Sequence, residues 1–423
     1  MERNGFYPAD ILLPRGADWA RWSVVACDQY TSERGYWEQV EQTVGDVPSA
    51  LRMILPEAYL EDEGRQRRID SINAAMERYL REGVLAGVGS GFVYVERTLQ
   101  GGQVRRGLVG MIDLEDYDFS KGSRSLIRAT EGTVLERIPP RVQVRRGAPL
   151  ELPHVMLLVD DREKRIIEPL AEKTGGMEKL YDFALMMDSG SIRGWKLGPQ
   201  EEAAVAAGLG VLKDPEHFES TYGAGKDGVL LFAVGDGNHS LATAKTCWEE
   251  LKPSLSEEER KCHPARFALV ELVNLHDDAL RFEPIHRVVF GVCPEQLLEE
   301  LERAHDIRYG AGEEGQCFTA QWGDKKRMIR VLDPTSNLPV GTLQSFLDDY
   351  LARCGGRVDY IHGEEAVDAL AREEGCMGFY LPAMEKNELF STVILDGALP
   401  RKTFSMGHAQ DKRFYLECRR ICK

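Results

Sequence analysis

Apolar and polar positions change sharply along residues 229–245, where the sequence reads VLLFAVGDGNHSLATAK. The first seven residues are almost all apolar, which predicts a buried strand. Glycines at positions 235 and 237 break this run, and an alanine-rich helical pattern follows from Leu241. The stretch therefore predicts a strand, a tight glycine turn and the start of a helix.

The rest of the chain alternates between helical and strand-like patterns. Apolar spacings of three and four predict helices over residues 34–44, 57–82, 177–185, 199–212, 294–304, 343–354, 363–373 and 411–422. Apolar runs predict strands over residues 22–27, 91–99, 104–113, 125–129, 154–160, 267–275, 327–332, 358–361 and 376–381. Hairpins mixed with strand–helix units indicate an α/β fold, of the α+β kind with a mixed sheet.

We place one domain boundary near residue 290. Residues 1–290 would then form an α/β domain that carries the glycine turn. Residues 291–423 would form a second α/β region that packs back on the first.

Composition narrows the class of protein. The chain has 423 residues, of which 43% are apolar and 29% charged, as is typical of a soluble globular protein. It has no run of about 18 apolar residues and no basic-then-apolar leader, so neither a membrane span nor a secretory signal is expected. Nine cysteines without a CxxC pair indicate reduced thiols. We therefore expect a cytoplasmic protein.

The net charge of −16 bears on possible partners. An acidic surface opposes the approach of a phosphate backbone, so we expect no nucleic-acid partner. We expect no membrane partner either, and the sequence leaves the oligomeric state open. A small phosphorylated or carboxylated metabolite is the partner that the motifs below favour.

The turn at residues 235–240 has the features of an anion-binding pocket. Its glycines allow positive φ angles and bring backbone N–H groups close to a ligand. The helix that follows adds uncapped donors and a partial positive charge. The candidate phosphate-binding residues are Gly235, Gly237, Asn238 and Ser240. As alternatives, the turn binds nothing, or Asn238 or Ser240 simply caps the helix.

A second polar cluster follows the strand predicted at residues 125–129. Arg128 and Arg137 could bind a phosphorylated or carboxylated ligand, and Glu131 between them could act as a general base. A surface ion-pair network is the alternative interpretation. The polar residues 28–33, after the first predicted strand, are expected to cap the next helix.

Two further clusters lie in the last third of the chain. His286 and Arg287 follow a strand-like run and could face an anion, although a histidine in such a place is often structural. Arg401 and Lys402 resemble a phosphate clamp, but a basic surface turn would look the same. All four are candidate phosphate-binding residues.

Four ordered segments together resemble a bacterial family, domain of unknown function 1015. They read WSVVACDQYTSERGYWEQV, VGDGNHSLATAK, FEPIHR and LPRKTFSMG, and they span nearly the whole chain. The turn of that family usually reads Asp-Gly-His-His-Arg. Asp236, Gly237 and His239 match this pattern, whereas Asn238 and Ser240 depart from it.

The family turn is in turn similar to that of free serine kinase, within the ParB/sulfiredoxin-like group. This resemblance implies a ParB/sulfiredoxin-like core with large elaborations, and a loop and helix start that hold nucleotide phosphates. It makes ATP or ADP and Mg²⁺ candidate cofactors. Sulfiredoxin chemistry needs a cysteine in the turn, and none stands between Leu231 and Thr246.

We therefore expect a phosphotransferase or phosphatase that acts on a small phosphorylated metabolite, with serine or phosphoserine as the best guess. His239 would donate a hydrogen bond or proton to a phosphoryl oxygen. Asp236 or Glu131 would accept a proton from the attacking group, and Asp236 is the candidate Mg²⁺ ligand. A ParB-like nucleotide switch and an interaction protein with a vestigial turn are the alternatives.

Overall fold

The computed structural model describes residues 5–132, 136, 138–224 and 228–422. Its helices are α1 Trp19–Trp22, α2 Arg34–Val44, α3 Arg65–Arg81, α4 Ile138–Arg146, α5 Pro199–Lys213, α6 Pro215–Tyr222, α7 Asn238–Leu251, α8 Glu257–Cys262, α9 Pro294–Ala304, α10 Pro339–Cys354, α11 Glu364–Ala371 and α12 Lys386–Leu395. Within the described ranges, no helix has the length and apolar character needed to cross a membrane.

The strands of the first two-thirds of the chain are β1 Ala9–Pro14, β2 Val24–Val25, β3 Leu85–Gly91, β4 Val93–Thr98, β5 Val104–Asp113, β6 Tyr117–Asp118, β7 Ile127–Ala129, β8 Leu150–Glu151, β9 Met156–Val159, β10 Glu178–Ala184, β11 Ser191–Lys196, β12 Phe232–Asp236 and β13 Phe267–Asn274. Those of the last third are β14 Phe282–Phe290, β15 Ile307–Tyr309, β16 Gln316–Trp322, β17 Lys325–Val331, β18 Arg357–His362, β19 Cys376–Tyr380, β20 Phe404–Met406, β21 Phe414–Tyr415 and β22 Arg419–Arg420.

The chain divides into two compact units. The first comprises Met1–Leu280 together with His408–Lys423, and the second comprises Arg281–Gly407. The sequence predicts a single join near residue 290, whereas this division has two, because the last residues return to the first unit. We call residues 408–422 the return segment.

A nine-stranded mixed sheet forms the centre of the first unit, in the order β10-β11-β4-β5-β13-β9-β12-β7-β6. The pairs β13–β9, β12–β7 and β6–β7 are parallel, and the others are antiparallel. The predicted α/β class with a mixed sheet is therefore confirmed. In the second unit, antiparallel pairing links β15-β17-β16-β19-β14-β18, with β20 on β14.

Apolar side chains cover both faces of the large sheet. Along β4, Val93 and Val95 lie in one apolar cluster and Tyr94 lies in the other, as the alternation of a strand requires. The first cluster includes Trp37 of α2, and the second includes Trp248 of α7. The glycine turn therefore begins a helix that packs on one face of the sheet.

Several predicted elements are confirmed, and two are wrong. The predicted helix 34–44 and strand 104–113 coincide with α2 and β5. Residues 177–185 were expected to be helical, but β10 forms an antiparallel hairpin with β11. Residues 411–422 were also expected to be helical, but β21 pairs with β2 and β22 pairs with β8. Strand pairing outweighs the local helical spacing in both segments, within a hairpin for β10 and with distant strands for β21 and β22.

A buried arginine joins the return segment to the sheet. Arg413 is 2% exposed and contacts two buried carboxylates, Glu271 of β13 and Glu417, the second at 2.5 Å. Its Nε also donates to the carbonyl of Pro153 at 3.1 Å. The hydroxyl of Tyr181 donates to Glu417 at 2.5 Å. One guanidinium therefore fixes a central strand, the return segment and the chain that leads into β9.

Replacing Arg413 tests this arrangement. Arg413→Leu leaves Glu271 and Glu417 without their cation, so we expect the free energy of unfolding to fall by about 3–5 kcal/mol, measured by urea unfolding. The matched control is Arg34→Leu, which removes an exposed pair with Asp62 and should change the unfolding midpoint very little. Equal effects of the two substitutions would show that Arg413 is not an anchor.

Candidate functional site

The predicted strand, glycine turn and helix are confirmed at residues 232–251. Gly237 is the N-cap of α7 and has a φ of +80°, in the left-handed region that favours glycine. A Cβ at this position would lie 3.1 Å from the Cα of Val155. Glycine is therefore needed both for the backbone conformation and for the close approach of the chain before β9.

The N-terminus of α7 carries no side-chain cap at Gly237. Helices start with backbone N–H groups that lack a partner inside the helix, and such groups commonly bind anions. Gly235 lies two residues before Gly237, where the pairing of β12 with β9 shifts register between Val234 and Asp236. His239 and Ser240 are half-buried in the first turn of the helix.

The end of β7 lies beside the turn because β7 and β12 are parallel neighbours. Thr130, directly after β7, donates from its hydroxyl to the carbonyl of Val234 at 2.6 Å. Its backbone N–H donates to the Oδ1 of Asn238 at 3.3 Å. Glu131 is the next residue and is half-buried. The structure thus brings Glu131 to the same sheet edge as the glycine turn.

Asp236 is held from two sides. Its Oδ1 accepts the backbone N–H of Gly237 at 3.0 Å, and its Oδ2 lies 3.2 Å from the Nζ of Lys412. The side chains of Lys412 and Asp236 are 10% and 21% exposed. Lys412 belongs to the return segment, so this segment supplies a cation beside the glycine turn.

A second histidine borders the turn. A Cβ at Gly237 would lie 3.4 Å from the Cδ2 of His154. The Nδ1 of His154 lies 2.7 Å from the hydroxyl of Tyr415, and its Nε2 lies 3.6 Å from the Oδ2 of Asp28. The Tyr415 hydroxyl also donates to the Sγ of Cys27 at 3.1 Å. An imidazole is therefore positioned between a carboxylate and a phenol.

Two carboxylates in this cluster have pKa values shifted in opposite directions. Burial alone would raise the pKa of Asp28, but the charge of His154, a hydrogen bond from Gln29 and the charge of Lys412 lower it overall. Burial raises the pKa of Glu57, the nearby Asp28 adds to this, and Arg141 opposes it.

Backbone and side-chain contacts hold Glu57 next to that cluster. Its N–H donates to the carbonyl of Cys27 at 2.8 Å, and the Nε of Arg141 donates to its Oε1 at 2.8 Å. A carboxylate that stays ionised beside one that binds a proton more readily is an arrangement suited to proton transfer.

Cys27 adjoins the site but is not suited to act as a nucleophile. Burial, followed by the charges of Asp28 and Glu57, strongly raises the pKa of its thiol. The thiolate is the reactive form of cysteine, and here it is disfavoured. The absence of a cysteine from the turn and the neutral state of Cys27 both argue against sulfiredoxin chemistry.

The residues present do not fit a protein-held Mg²⁺ ion. Among the described residues, no group of three or more His, Cys, Asp or Glu side chains is arranged to hold a metal. Both oxygens of Asp236, the predicted ligand, already contact Gly237 and Lys412. An ammonium thus occupies the place that a cation would take at Asp236.

The family model described as "Protein of unknown function (DUF1015)" matches residues 9–388. The chain belongs to this family. The assignment made from the four sequence segments is therefore confirmed. The match ends before the return segment, so Lys412 and Tyr415 lie outside the matched residues. No protein with a curated description matches the chain.

Solved structures that resemble this DUF1015 chain do so weakly. A mutant of free serine kinase in complex with AMP has 12% identity and a TM-score of 0.39, covering 75% of this chain and 93% of that one. A conserved hypothetical protein from Pyrococcus furiosus has 12% identity and a TM-score of 0.36, covering 72% and 94%. SbnI with a C-terminal truncation, from Staphylococcus aureus, has 10% identity and a TM-score of 0.36, covering 71% and 83%. The predicted remote similarity to free serine kinase is confirmed, but scores at this level carry no argument about function.

The structure gives Asn238, one of the two departures from the DUF1015 turn, a structural contact. Its amide donates to the Oγ1 of Thr130 at 3.2 Å while its carbonyl oxygen accepts the Thr130 N–H. The side chain thus ties the ends of β7 and β12 together, and only its backbone N–H remains a candidate phosphate donor. Ser240, the other departure, lies in the first turn of α7. Its predicted role in phosphate binding stays a prediction.

The contacts of Arg128, in the second predicted cluster, lie away from the turn. The Nε of Arg128 donates to the carbonyl of Ser125, and its Nη2 donates to that of Gly228, both at 2.9 Å. These carbonyls precede β7 and β12, at the opposite end of the strands from the turn. The predicted phosphate contact of Arg128 is therefore disfavoured by its geometry. Arg137 lies outside the described residues.

The other four predicted residues lie in the second unit. Arg287 is fully buried and donates to the carbonyl of Arg401 at 2.8 Å and to Gln344 at 3.2 Å. His286 is buried and accepts the N–H of Leu381 at 3.1 Å, and burial lowers its pKa. These contacts are structural, so the geometry disfavours a phosphate-binding role for His286 and Arg287.

The basic turn of the second unit is exposed. Arg401 contacts Asp348 and donates to the hydroxyl of Tyr360 at 2.5 Å, and Lys402 has a φ of +55°. These contacts agree with the alternative of a basic surface turn. The predicted phosphate clamp at Arg401 and Lys402 stays a prediction.

Sequence reasoning missed the residues that surround the turn from other elements. Asp28 was expected to cap a helix, but Glu33 is the N-cap of α2 and makes no side-chain cap bond. Asp28 lies in one of the four segments that carry the family resemblance, and this was the only sequence signal that it belongs to the site. His154 stood at the start of a predicted strand. Lys412 and Tyr415 were hidden in a wrongly predicted helix, and no local pattern indicates their position.

A cleft of the first unit lies elsewhere. It has a volume of about 830 Å³ and is lined by residues of α2, α3 and the chain between them, including Trp37, Tyr59 and Arg68. The residues of the glycine turn are not among those that line it. This cleft is therefore a competing location for a ligand.

Substitution of the turn glycine should be costly. Gly237→Ala forces a Cβ into the left-handed region and against Val155, so we expect a loss of about 2–4 kcal/mol in unfolding free energy, measured by urea unfolding. The control is Gly210→Ala in α5, where nothing lies within 4 Å and alanine should stabilise by up to about 1 kcal/mol. If Gly237→Ala were as stable as the wild type, the tight turn would not exist as described.

Proposed function

We propose that the first unit transfers or hydrolyses the phosphoryl group of a small phosphorylated metabolite. The observation that carries this proposal is the convergence of three groups at one glycine turn. They are the N-terminal turn of α7, the ammonium of Lys412 and the His154–Asp28 pair. Backbone donors and a cation suit a phosphoryl dianion, while a carboxylate and an imidazole suit proton transfer.

In this proposal the backbone N–H groups of residues 238–240 hold the phosphoryl oxygens, because the N–H of Gly237 already donates to Asp236. His239, in the first turn of α7, donates a hydrogen bond or proton to one of them. Glu131 or Asp236 accepts the proton of the attacking hydroxyl or water, and His154 is a further acceptor that the structure adds. The chemistry consists mainly of positioning and charge neutralisation.

Serine or phosphoserine is the first substrate to test, because the resemblance read from the sequence implies it. ATP or ADP is the proposed phosphoryl donor or acceptor on the same ground. With a net charge of −16 and free cysteines throughout the described chain, we propose a cytoplasmic protein whose partner is a small metabolite rather than a nucleic acid.

An assay with phosphoserine tests the proposal. The protein is incubated with phosphoserine, with and without ADP and Mg²⁺, and inorganic phosphate and ATP are measured. We expect one of these products, and His239→Ala should lower the rate by about 10²–10⁴-fold if the imidazole is the acid–base group. His217→Ala, on the exposed surface of α6, is the matched control and should leave the rate unchanged.

Two results would contradict the proposal. Binding of ADP without any product would favour the ParB-like nucleotide switch. Full activity of His239→Ala would remove this histidine from the chemistry and would leave His154 as the imidazole to test.

A further inference from the structure

The return segment is built into the first unit along most of its length. β21 pairs with β2, and the N–H and carbonyl of Cys418 exchange hydrogen bonds with those of Leu12 at 2.9 and 2.8 Å. The indole N–H of Trp22 donates to the carbonyl of Leu416 at 3.2 Å. This segment is therefore an integral part of the fold, although the DUF1015 match ends at residue 388.

Arginine side chains fix the chain on both sides of Lys412. Arg97 of β4 donates to the carbonyl of Gln410 at 3.0 Å, and Arg105 of β5 donates to that of Asp411 at 2.7 Å. On the other side, Arg413 is buried between its two carboxylates. Three guanidinium groups thus hold the residues next to Lys412, so its ammonium is held in place before any ligand binds.

Stability alone does not explain an ammonium in this position. Lys412 is largely buried, and taking a lysine and an aspartate out of water costs about as much as their attraction returns. The pair lies beside backbone donors at the start of α7, which already favour negative charge. The ammonium of Lys412 has three N–H donors, so it could also donate to a second negative group at the turn.

We infer that Lys412 binds the phosphoryl group of the substrate, with its ammonium shared between Asp236 and a phosphoryl oxygen seated on the first turn of α7. This inference rests on the proposed function. Asp236 then acts as a positioning residue, because it aims the ammonium at the turn. The site is incomplete without the return segment.

Binding measurements on Lys412 variants test the inference. Phosphoserine and inorganic phosphate are titrated calorimetrically into wild type, Lys412→Met and Lys412→Arg. We expect Lys412→Met to weaken binding by about 10–100-fold, as for loss of a charge-assisted hydrogen bond, and Lys412→Arg to retain most of the affinity. Lys261→Met, which removes an exposed lysine of α8, is the control and should bind like the wild type.

The partner variants separate ligand binding from a structural role. Lys412→Met leaves Asp236 unpaired, which could itself distort the turn. If that were the cause, the double variant Asp236→Asn/Lys412→Met would bind like the wild type, and the inference would be overturned. We expect instead that the double variant binds as weakly as Lys412→Met, because neither variant has an ammonium at the turn.

Failure of the inference can be told apart from failure of the proposed function. Equal affinities of the wild type and Lys412→Met for phosphoserine would overturn the role of Lys412 and leave the proposed function standing. If the wild type bound neither phosphoserine, inorganic phosphate nor ADP, both would be overturned.

Discussion

The structure depends on one buried guanidinium. Arg413 contacts Glu271 in the central sheet, Glu417 in the return segment and the carbonyl of Pro153 just before His154. Buried carboxylates are costly without a cation, so these three parts of the chain are held to one another. The same arginine follows Lys412 directly in sequence. The position of the ammonium beside the glycine turn is therefore a consequence of the anchor.

The glycine turn supplies the second constraint. Gly237 takes a left-handed conformation, and a Cβ there would lie only 3.1 Å from the Cα of Val155, so glycine lets the chain reverse closely beside His154. Parallel pairing of β7 and β12 places Glu131 at the same edge. Ligands of open α/β sheets commonly bind at the carboxyl ends of such strands. Backbone donors, an imidazole and carboxylates thus meet at the carboxyl ends of β7 and β12.

Local patterns in the sequence predicted the parts of the site that are contiguous along the chain. The apolar run, the two glycines and the alanine-rich helix start indicated β12, the turn and α7, because each depends on neighbouring residues. The mixed sheet followed from hairpins and strand–helix units. The arrangement of Asn238 against Thr130 was not foreseen, since it depends on the pairing of β7 with β12.

The rest of the site depends on contacts between distant segments. The return segment has a helical spacing of apolar residues, yet β21 and β22 each pair with strands far earlier in the chain. Lys412 approaches Asp236 only because of that pairing. Conversely, Arg128 and Arg287 looked available in sequence, but their guanidinium groups donate to backbone carbonyls. Periodicity does not report such tertiary hydrogen bonds.

We propose that the glycine turn binds a phosphoryl group. The most direct measurement is a titration of ¹⁵N-labelled protein with phosphoserine, followed through the amide resonances of Asn238, His239 and Ser240. We expect saturable downfield shifts of these amide protons, because the bound anion accepts their hydrogen bonds. Saturable binding that shifts only resonances of the cleft around Trp37 and Tyr59, and leaves the turn amides unmoved, would contradict it.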